Sequence, residues 1–314
     1  MRVAVTGGRG FIGRQLVMRC LEEGHDVRVL TRGYLDGQIH TPYVVNHIGD
    51  LTSSPIMDLV RFVAERDVLY HCAGESRRVE QMDRVHVCGT RRLAEAASGK
   101  IGHWVQLSSI GVYETSEGVV TEESHLNPVN TYEVTKLQGD QVLPELADSG
   151  RFTFTILRPS IVFGPTMSNL SLYQLIAIIA RRLFFYIGRP GSLANYIPVE
   201  NVLEALLACG SMSIARGKTY NLSDHRTIEQ FVTVIAECLG IAAPRLRLPE
   251  APVRSAARIL GRIPGCPLTE GRVRALTNRG VFATNLIEEE LGYAHGMSIE
   301  CALREMVEAW RGRQ

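Results

Sequence analysis

The residues of this chain best suited to chemistry are a tyrosine and a lysine four apart, in Tyr132-Glu133-Val134-Thr135-Lys136, with Ser108-Ser109 upstream. On a helix that spacing turns both side chains the same way, with about 5–6 Å between Cβ atoms. An ammonium held near a phenol favours the phenolate and lowers a pKa that is ~10 when unperturbed. Tyr132 is therefore expected to be an acid/base for a hydroxyl or ketone, with Ser109 hydrogen-bonding the same oxygen.

A second constellation is the turn Thr6-Gly7-Gly8-Arg9-Gly10-Phe11-Ile12-Gly13, which follows the strand-like Val3-Ala4-Val5 and opens a helical pattern. Gly7, Gly10 and Gly13 are spaced G-x-x-G-x-x-G, one residue looser at the front than the dinucleotide fingerprint. The physics is the same. Glycines permit a tight turn and close backbone approach, and a pyrophosphate sits on the free N–H groups of the helix start. Gly7, Arg9, Gly10, Phe11, Ile12 and Gly13 are thus expected to bind a dinucleotide, with Lys136 also gripping its nicotinamide ribose. Cofactor choice is set at the end of the second strand, where an acid holds the ribose of NAD and an arginine the 2′-phosphate of NADP. Thr31-Arg32 stand there, and Arg9 adds a second cation, which favours NADP over NAD; the alternative is a solvated Arg32 and an Arg9 that caps the turn. Asp50, in Gly49-Asp50-Leu51, is placed to meet the adenine edge, although Asp at a strand end is also an ordinary cap.

These residues need a scaffold, and the pattern of the chain supplies one. Strand candidates at 26–30, 44–48, 68–72, 104–108 and 152–157 alternate with helical stretches near 79–97 and 131–147. That alternation predicts an α/β fold, a doubly wound parallel sheet of Rossmann-like type. After Pro159 the rhythm changes: 171–187 and 199–209 read as helical, 219–222 as a late strand, and most of the rest as helix. The expected division is 1–165 with about 195–225 as the dinucleotide-binding domain, and 166–194 with 226–314 as a smaller, mainly helical substrate lobe.

With 314 residues, a net charge of +1 and 45% apolar residues, the chain is neither disordered nor basic enough for general nucleic-acid binding, and small partners are expected. Seven scattered cysteines (Cys20, Cys72, Cys88, Cys209, Cys238, Cys266, Cys301) include no C-x-x-C pair and no histidines at metal spacing. They read as reduced thiols of a cytoplasmic protein without a metal site. The N-terminus runs straight into a strand without a secretory signature. The apolar run 172–187 is broken by Arg181 and Arg182 and falls short of the ~20 residues of a spanning helix, so no membrane partner is expected.

Taken together these motifs resemble the extended short-chain dehydrogenase/reductase family of nucleotide-sugar epimerases, dehydratases and ketosugar reductases. Besides the turn, Gly49-Asp50-Leu51 and Tyr132–Lys136, the resemblance rests on His71-Cys72-Ala73-Gly74, Ser108 to Tyr113, Leu157 to Pro165, Tyr196 to Val202 and Leu291-Gly292-Tyr293. It implies that Ser109, counted back from Val112-Tyr113, is the catalytic serine beside Tyr132 and Lys136. It also implies cofactor contacts from Leu51, Ala73 and Gly74, a C-terminal lobe closing over a nucleotide-linked substrate, and a homodimer formed by the helices near 79–97 and 131–147.

Three departures bear on activity. Ile110-Gly111 stand where family dehydratases carry an Asp-Glu pair, so dehydration is not expected. His86 opens His86-Val87-Cys88-Gly89-Thr90 where the family has asparagine; it either fills the same hydrogen-bonding role or is a packed helix histidine. Ala194 replaces the arginine that clamps a substrate diphosphate, with Arg181, Arg182, Arg189, Arg272, Arg274 and Arg279 as candidate substitutes. Asn169 is a further candidate substrate contact. The expected function is a 4-ketosugar reductase or a 4-epimerase on a nucleotide sugar. Reduction of a non-sugar ketone is the alternative, and a non-catalytic dinucleotide-binding regulator would not need the tyrosine and lysine.

Overall fold

The computed structural model of the protein describes residues 1–33, 44–114, 117–147, 151–167, 169–261 and 268–313; Cys266 lies outside them. Seven strands form one all-parallel sheet: in spatial order, Thr219–Leu222, Thr153–Pro159, Ile101–Leu107, Arg66–His71, Arg2–Thr6, Asp26–Thr31 and Val44–Ile48. The order runs one way from the first strand and then reverses. This reversal opens a crevice between Arg2–Thr6 and Arg66–His71, the place where such sheets bind ligands.

Near-continuous apolar strands follow from burial on both faces. On one face Val3, Val5, Leu16, Val17, Val202 and Leu206 pack together; on the other, Ala4, Leu59, Phe62, Leu93, Trp104 and Leu143. The helix Phe11–Glu22 ends at Glu23, and Gly24 turns the chain with φ +76 into the second strand. Residues 79–97 form one run of helix in which Arg84–Gly89 is a π segment. Against that segment packs the helix Thr131–Ala147. Gly139 makes the approach possible, because a Cβ there would lie 2.5 Å from the His86 carbonyl oxygen.

A separate cluster gathers Met167, Leu172, Ile176, Ala194, Phe231, Ile235, Leu303 and Met306. Over it lies a three-stranded sheet in which Leu193–Pro198 pairs in parallel with Ile161–Phe163 and antiparallel with Asp224–Thr227. Helix Asn285–Leu291 carries Ile287 and Leu291 back into the first core, and Gly280–Phe282 pairs with Gly118–Val120.

The expected helix over 171–187 stops at Ala180, and the run ends in a short strand. Ser171–Ala180 is helical, then Arg182 adopts φ +59 and the Leu183 amide donates back to the Ile178 carbonyl at 3.0 Å, a Schellman-type stop. Tyr186–Ile187 then pairs with Arg247–Leu248. The apolar residues on either side of Arg181-Arg182 carry no period that separates a buried helix from a buried strand.

Candidate active site

The glycine turn joins the strand Arg2–Thr6 to the helix Phe11–Glu22. Gly7 has φ +70, and a Cβ on it would stand 2.6 Å from the Cys72 carbonyl carbon; one on Gly13 would strike the Gly7 oxygen. Gly10 caps the helix, its amide donating to the Gly7 carbonyl at 2.8 Å, with no side-chain cap and no acid in the first turn. The amides that a helix start leaves unpaired therefore remain available to an anion. Gly10, Phe11, Ile12 and Gly13 line a cleft of about 690 Å³. A cradle that only glycine can form, opening on free N–H groups, fits a dinucleotide pyrophosphate.

Ala73 and Gly74 line the same cleft, Ala73 held by an N–H donated to Thr6 Oγ1 at 3.3 Å. Gly7, Arg9, Thr31, Arg32, Asp50 and Leu51 lie outside the cleft lining, at the carboxyl ends of the first three strands. There Arg9 and Arg32 are exposed, and a Cβ on Gly33 would sit 3.5 Å from an Arg9 guanidinium nitrogen. Thr31 is buried and donates its hydroxyl to the Gly33 carbonyl at 2.5 Å. Asp50 accepts the Thr52 amide and hydroxyl, both at 2.7 Å. Against the upward push of burial, those bonds and then the charge of Arg32 hold its carboxyl below the usual range. The Leu51 side chain is buried in the core, and its carbonyl accepts Arg92 at 2.8 Å.

Ser109, Tyr132 and Lys136 all line the cleft. The two serines that follow the strand Ile101–Leu107 divide their tasks. Ser108 is buried and donates to Asp140 Oδ2 at 2.6 Å, while Ser109 Oγ accepts the Gly111 amide at 3.1 Å and keeps its own proton for another partner. Lys136 is buried and donates from Nζ to the Leu107 carbonyl at 2.5 Å. The Tyr132 phenol differs from expectation: burial first, then the charges of Asp140 and Glu133, push it up to about 12. Helical spacing does put Tyr132 and Lys136 on one cleft wall, but the ammonium is drawn to a carbonyl and burial penalises the phenolate.

Of two supporting groups, Asp140 was not legible in the spacing, whereas His86 was expected either to hydrogen-bond or to pack. Asp140, four residues past Lys136, pairs with buried Arg158 at 3.3 Å, and Arg158 donates to the Tyr113 hydroxyl at 2.8 Å. His86 is 2% exposed, accepts the Glu75 amide on Nε2 at 2.9 Å, and lies edge-on to Tyr132 with centroids 5.6 Å apart. Since Nε2 accepts, the proton is on Nδ1, which donates to Thr135 Oγ1 at 2.8 Å, and Thr135 donates on to the Thr131 carbonyl at 2.8 Å. Burial, then Lys136, lowers the His86 imidazole to about 3, so the ring is neutral. The ring is thus packed, as one of the two expectations had it, and is also a hydrogen-bond acceptor.

Residues 3–223 match the model of the NAD dependent epimerase/dehydratase family. The chain belongs to this family. It is an NAD(P)-dependent enzyme of the extended short-chain dehydrogenase/reductase type. It is 29% identical over 276 residues to a 4-hydroxy-2-methyl-3-oxo-4-farnesyl-3,4-dihydroquinoline-1-oxide ketoreductase of Stigmatella aurantiaca, covering 82% of this chain and 79% of that one. A UDP-glucose 4-epimerase of Mycolicibacterium smegmatis is 28% identical over 302 residues, 86% of this chain and 96% of its own. Human sterol-4-alpha-carboxylate 3-dehydrogenase, decarboxylating, is 27% identical over 263 residues, 79% and 69% respectively. The fold is shared with a UDP-glucuronic acid 4-epimerase from Bacillus cereus in complex with NAD, at TM-score 0.79 and 17% identity over 100% of this chain and 99% of that one.

Within this family member, Ala194 is 3% exposed and lines the cleft, leaving a methyl where a cation was sought. Of the substitutes named from sequence, Arg274 alone lines the cleft, from the helix Glu270–Thr277. Among the described residues its guanidinium enters no hydrogen bond or ion pair. Arg279 is tied to the carbonyls of Arg189 and Pro190, and Arg272 to Gln174. Asn169 lines the cleft too, and its carboxamide oxygen accepts the Ser171 amide at 2.9 Å. Two buried polar atoms in the lining, Ser160 Oγ and Asn195 Oδ1, have no partner among the described residues.

Proposed function

We propose that this enzyme is an NADP(H)-preferring 4-ketosugar reductase acting on a nucleotide-activated sugar through Ser109, Tyr132 and Lys136. The observation that carries the reading is the convergence of those three side chains with the Phe11–Gly13 helix start on one cleft. The cofactor is held by the glycine turn, by Ala73 and Gly74, and at its far end by Thr31, Asp50 and Leu51. Arg9 and Arg32 favour the 2′-phosphate of NADP over the bare ribose of NAD. A bound reduced nicotinamide supplies hydride to a carbonyl carbon. The Ser109 hydroxyl hydrogen-bonds the carbonyl oxygen, and Tyr132, kept protonated by burial, delivers the proton that makes it a carbinol. Lys136 orients the ribose and stabilises the phenolate left behind. An epimerase would use the same triad with retained NAD.

Arg274 is the cation that supports a diphosphate-bearing substrate. A second reading, reduction of an apolar ring ketone, is favoured by the cleft wall: Ile161, 44% exposed, with Ala194, Ile228, Leu276 and Phe282. Turnover of UDP- and dTDP-4-ketosugars against sterol-like ketones, with NADPH and NADH, decides between them. Activity restricted to apolar ketones would overturn the sugar reading, and Arg274→Ala should weaken only diphosphate substrates. The cytoplasmic homodimer implied by the resemblance, through the helices 79–97 and 131–147, is proposed here as well; light scattering at the mass of one chain would refute it.

A further inference from the structure

Outside the cleft the most unusual feature is a segregated basic surface. Residues 181–189, 240–261 and 268–279 hold ten arginines, two glutamates and no lysine or aspartate. Arg274 lines the cleft, and Glu229 and Glu117 from outside these segments pair with Arg247 and Arg279, so nine arginines stand against four glutamates, a net charge of +5 in a chain whose total is +1. The fold brings them together. Tyr186–Ile187 and Arg247–Leu248 form a parallel pair, the Arg247 guanidinium lies 4.8 Å above the Tyr186 ring, and Ile187, Val253, Ala257 and Val273 make a small core beneath the helices Glu250–Leu260 and Glu270–Thr277. Arg181, Arg182 and Leu183 precede one strand of the pair, and Arg245 and Leu246 precede the other, at the same end. Leu183 is 65% and Leu246 60% exposed, and Ile259, on the adjoining helix, is 71% exposed. Among the described residues the side chains of Arg181, Arg182 and Arg245 enter no hydrogen bond or ion pair.

We infer that this face of the C-terminal lobe docks on an anionic lipid bilayer. Exposed leucines ringed by unpaired guanidiniums are the composition of an interfacial binding surface, where apolar burial adds to attraction for acidic headgroups. A second copy of the chain does not fit, because two faces of the same strong charge repel. Nucleic acid leaves the leucines and Ile259 unexplained. Hydropathy led to the expectation of no membrane partner, but it tests for spanning, and no described helix is long and apolar enough to span. Docking depends on arrangement rather than on length. The helix Glu270–Thr277 also lends Arg274 and Leu276 to the cleft wall, so the cleft opens beside the docked face. An amphiphilic substrate held in the bilayer would reach it without crossing water.

Co-sedimentation of the whole protein with vesicles tests this without substrate or turnover, so its outcome is independent of the proposed reaction. Binding is expected to phosphatidylcholine vesicles containing phosphatidylglycerol, not to pure phosphatidylcholine, and is expected to fall steeply with added salt. Arg181→Glu/Arg182→Glu/Arg245→Glu should weaken it at least about 100-fold, at about fivefold per arginine lost. Leu183→Ser/Leu246→Ser should weaken it about 10-fold or more at constant charge. All five positions are exposed, and an unchanged melting temperature confirms that the variants fold. No binding, equal binding to neutral and anionic vesicles, tighter binding to a DNA duplex, or variants that bind like the parent would each overturn the docking surface.

Discussion

Tyr132 is held as a phenol by burial, which suits a proton donor in reduction and makes the reverse oxidation wait for deprotonation. Tyr132→Phe should lower kcat about 10²- to 10⁴-fold while leaving cofactor affinity unchanged, as measured by steady-state kinetics and cofactor titration. Retained turnover would remove Tyr132 from the reaction. The raised phenol also sets a sign: reduction should be flat through neutral pH, and oxidation should rise with pH. At the other end of the cofactor, Arg32→Asp removes the charge-assisted contact proposed for the 2′-phosphate and adds a repelling charge. The preference for NADPH over NADH in kcat/KM should drop about 10- to 100-fold, and an unchanged ratio would exclude Arg32 from the phosphate site. Thr6 to Gly13, Ser109, Tyr132 and Lys136 were legible from sequence because their chemistry depends on local spacing. The Asp140–Arg158 pair was not, since its members meet across a stretch of chain, and which of the six candidate arginines reaches the cleft was decided only by the fold, which places Arg274 there.

The π segment Arg84–Gly89 and the helix Thr131–Ala147 meet through Gly139, and this contact aims Tyr132 and Lys136 at the cleft. Gly139→Ala forces a methyl onto the His86 carbonyl and should cost about 1–3 kcal/mol in denaturant unfolding, together with a loss of kcat. A neutral result would mean that the helices part without cost. His86 itself makes the pair acid-sensitive. Its folded pKa of about 3 lies below the unfolded value of 6.5, so the unfolded chain binds the extra proton as pH falls. Stability from His86 is intact above pH 6.5 and declines toward pH 3, by up to about 1.4 kcal/mol per pH unit. His86→Asn should flatten the fall of the melting temperature over that window, and an unaltered slope would assign the acid loss to other groups. His71, lowered to about 3, and His103, lowered to about 4, keep a remaining slope in the variant.

At the scale of the molecule, we propose residues 1–165 with about 195–225 as the dinucleotide-binding domain, and 166–194 with 226–314 as the substrate lobe. The helix Asn285–Leu291 ties the lobe back to the first core through Ile287 and Leu291. The parallel sheet, its crossover helices, the glycine turn and the residues proposed here as the Ser-Tyr-Lys set can all be read along the chain. Each is written in periods of a few residues or in a turn only glycine can form, and neither depends on distant parts of the chain. Tertiary structure decided the rest. It stopped the helix expected over 171–187 at Ala180 and gave Tyr186–Ile187 a strand partner sixty residues on. It buried the phenol whose pKa local spacing had set low, and it gathered arginines from separate segments onto one face. Burial and net field are sums over neighbours in space, and a sequence lists neighbours only along the chain.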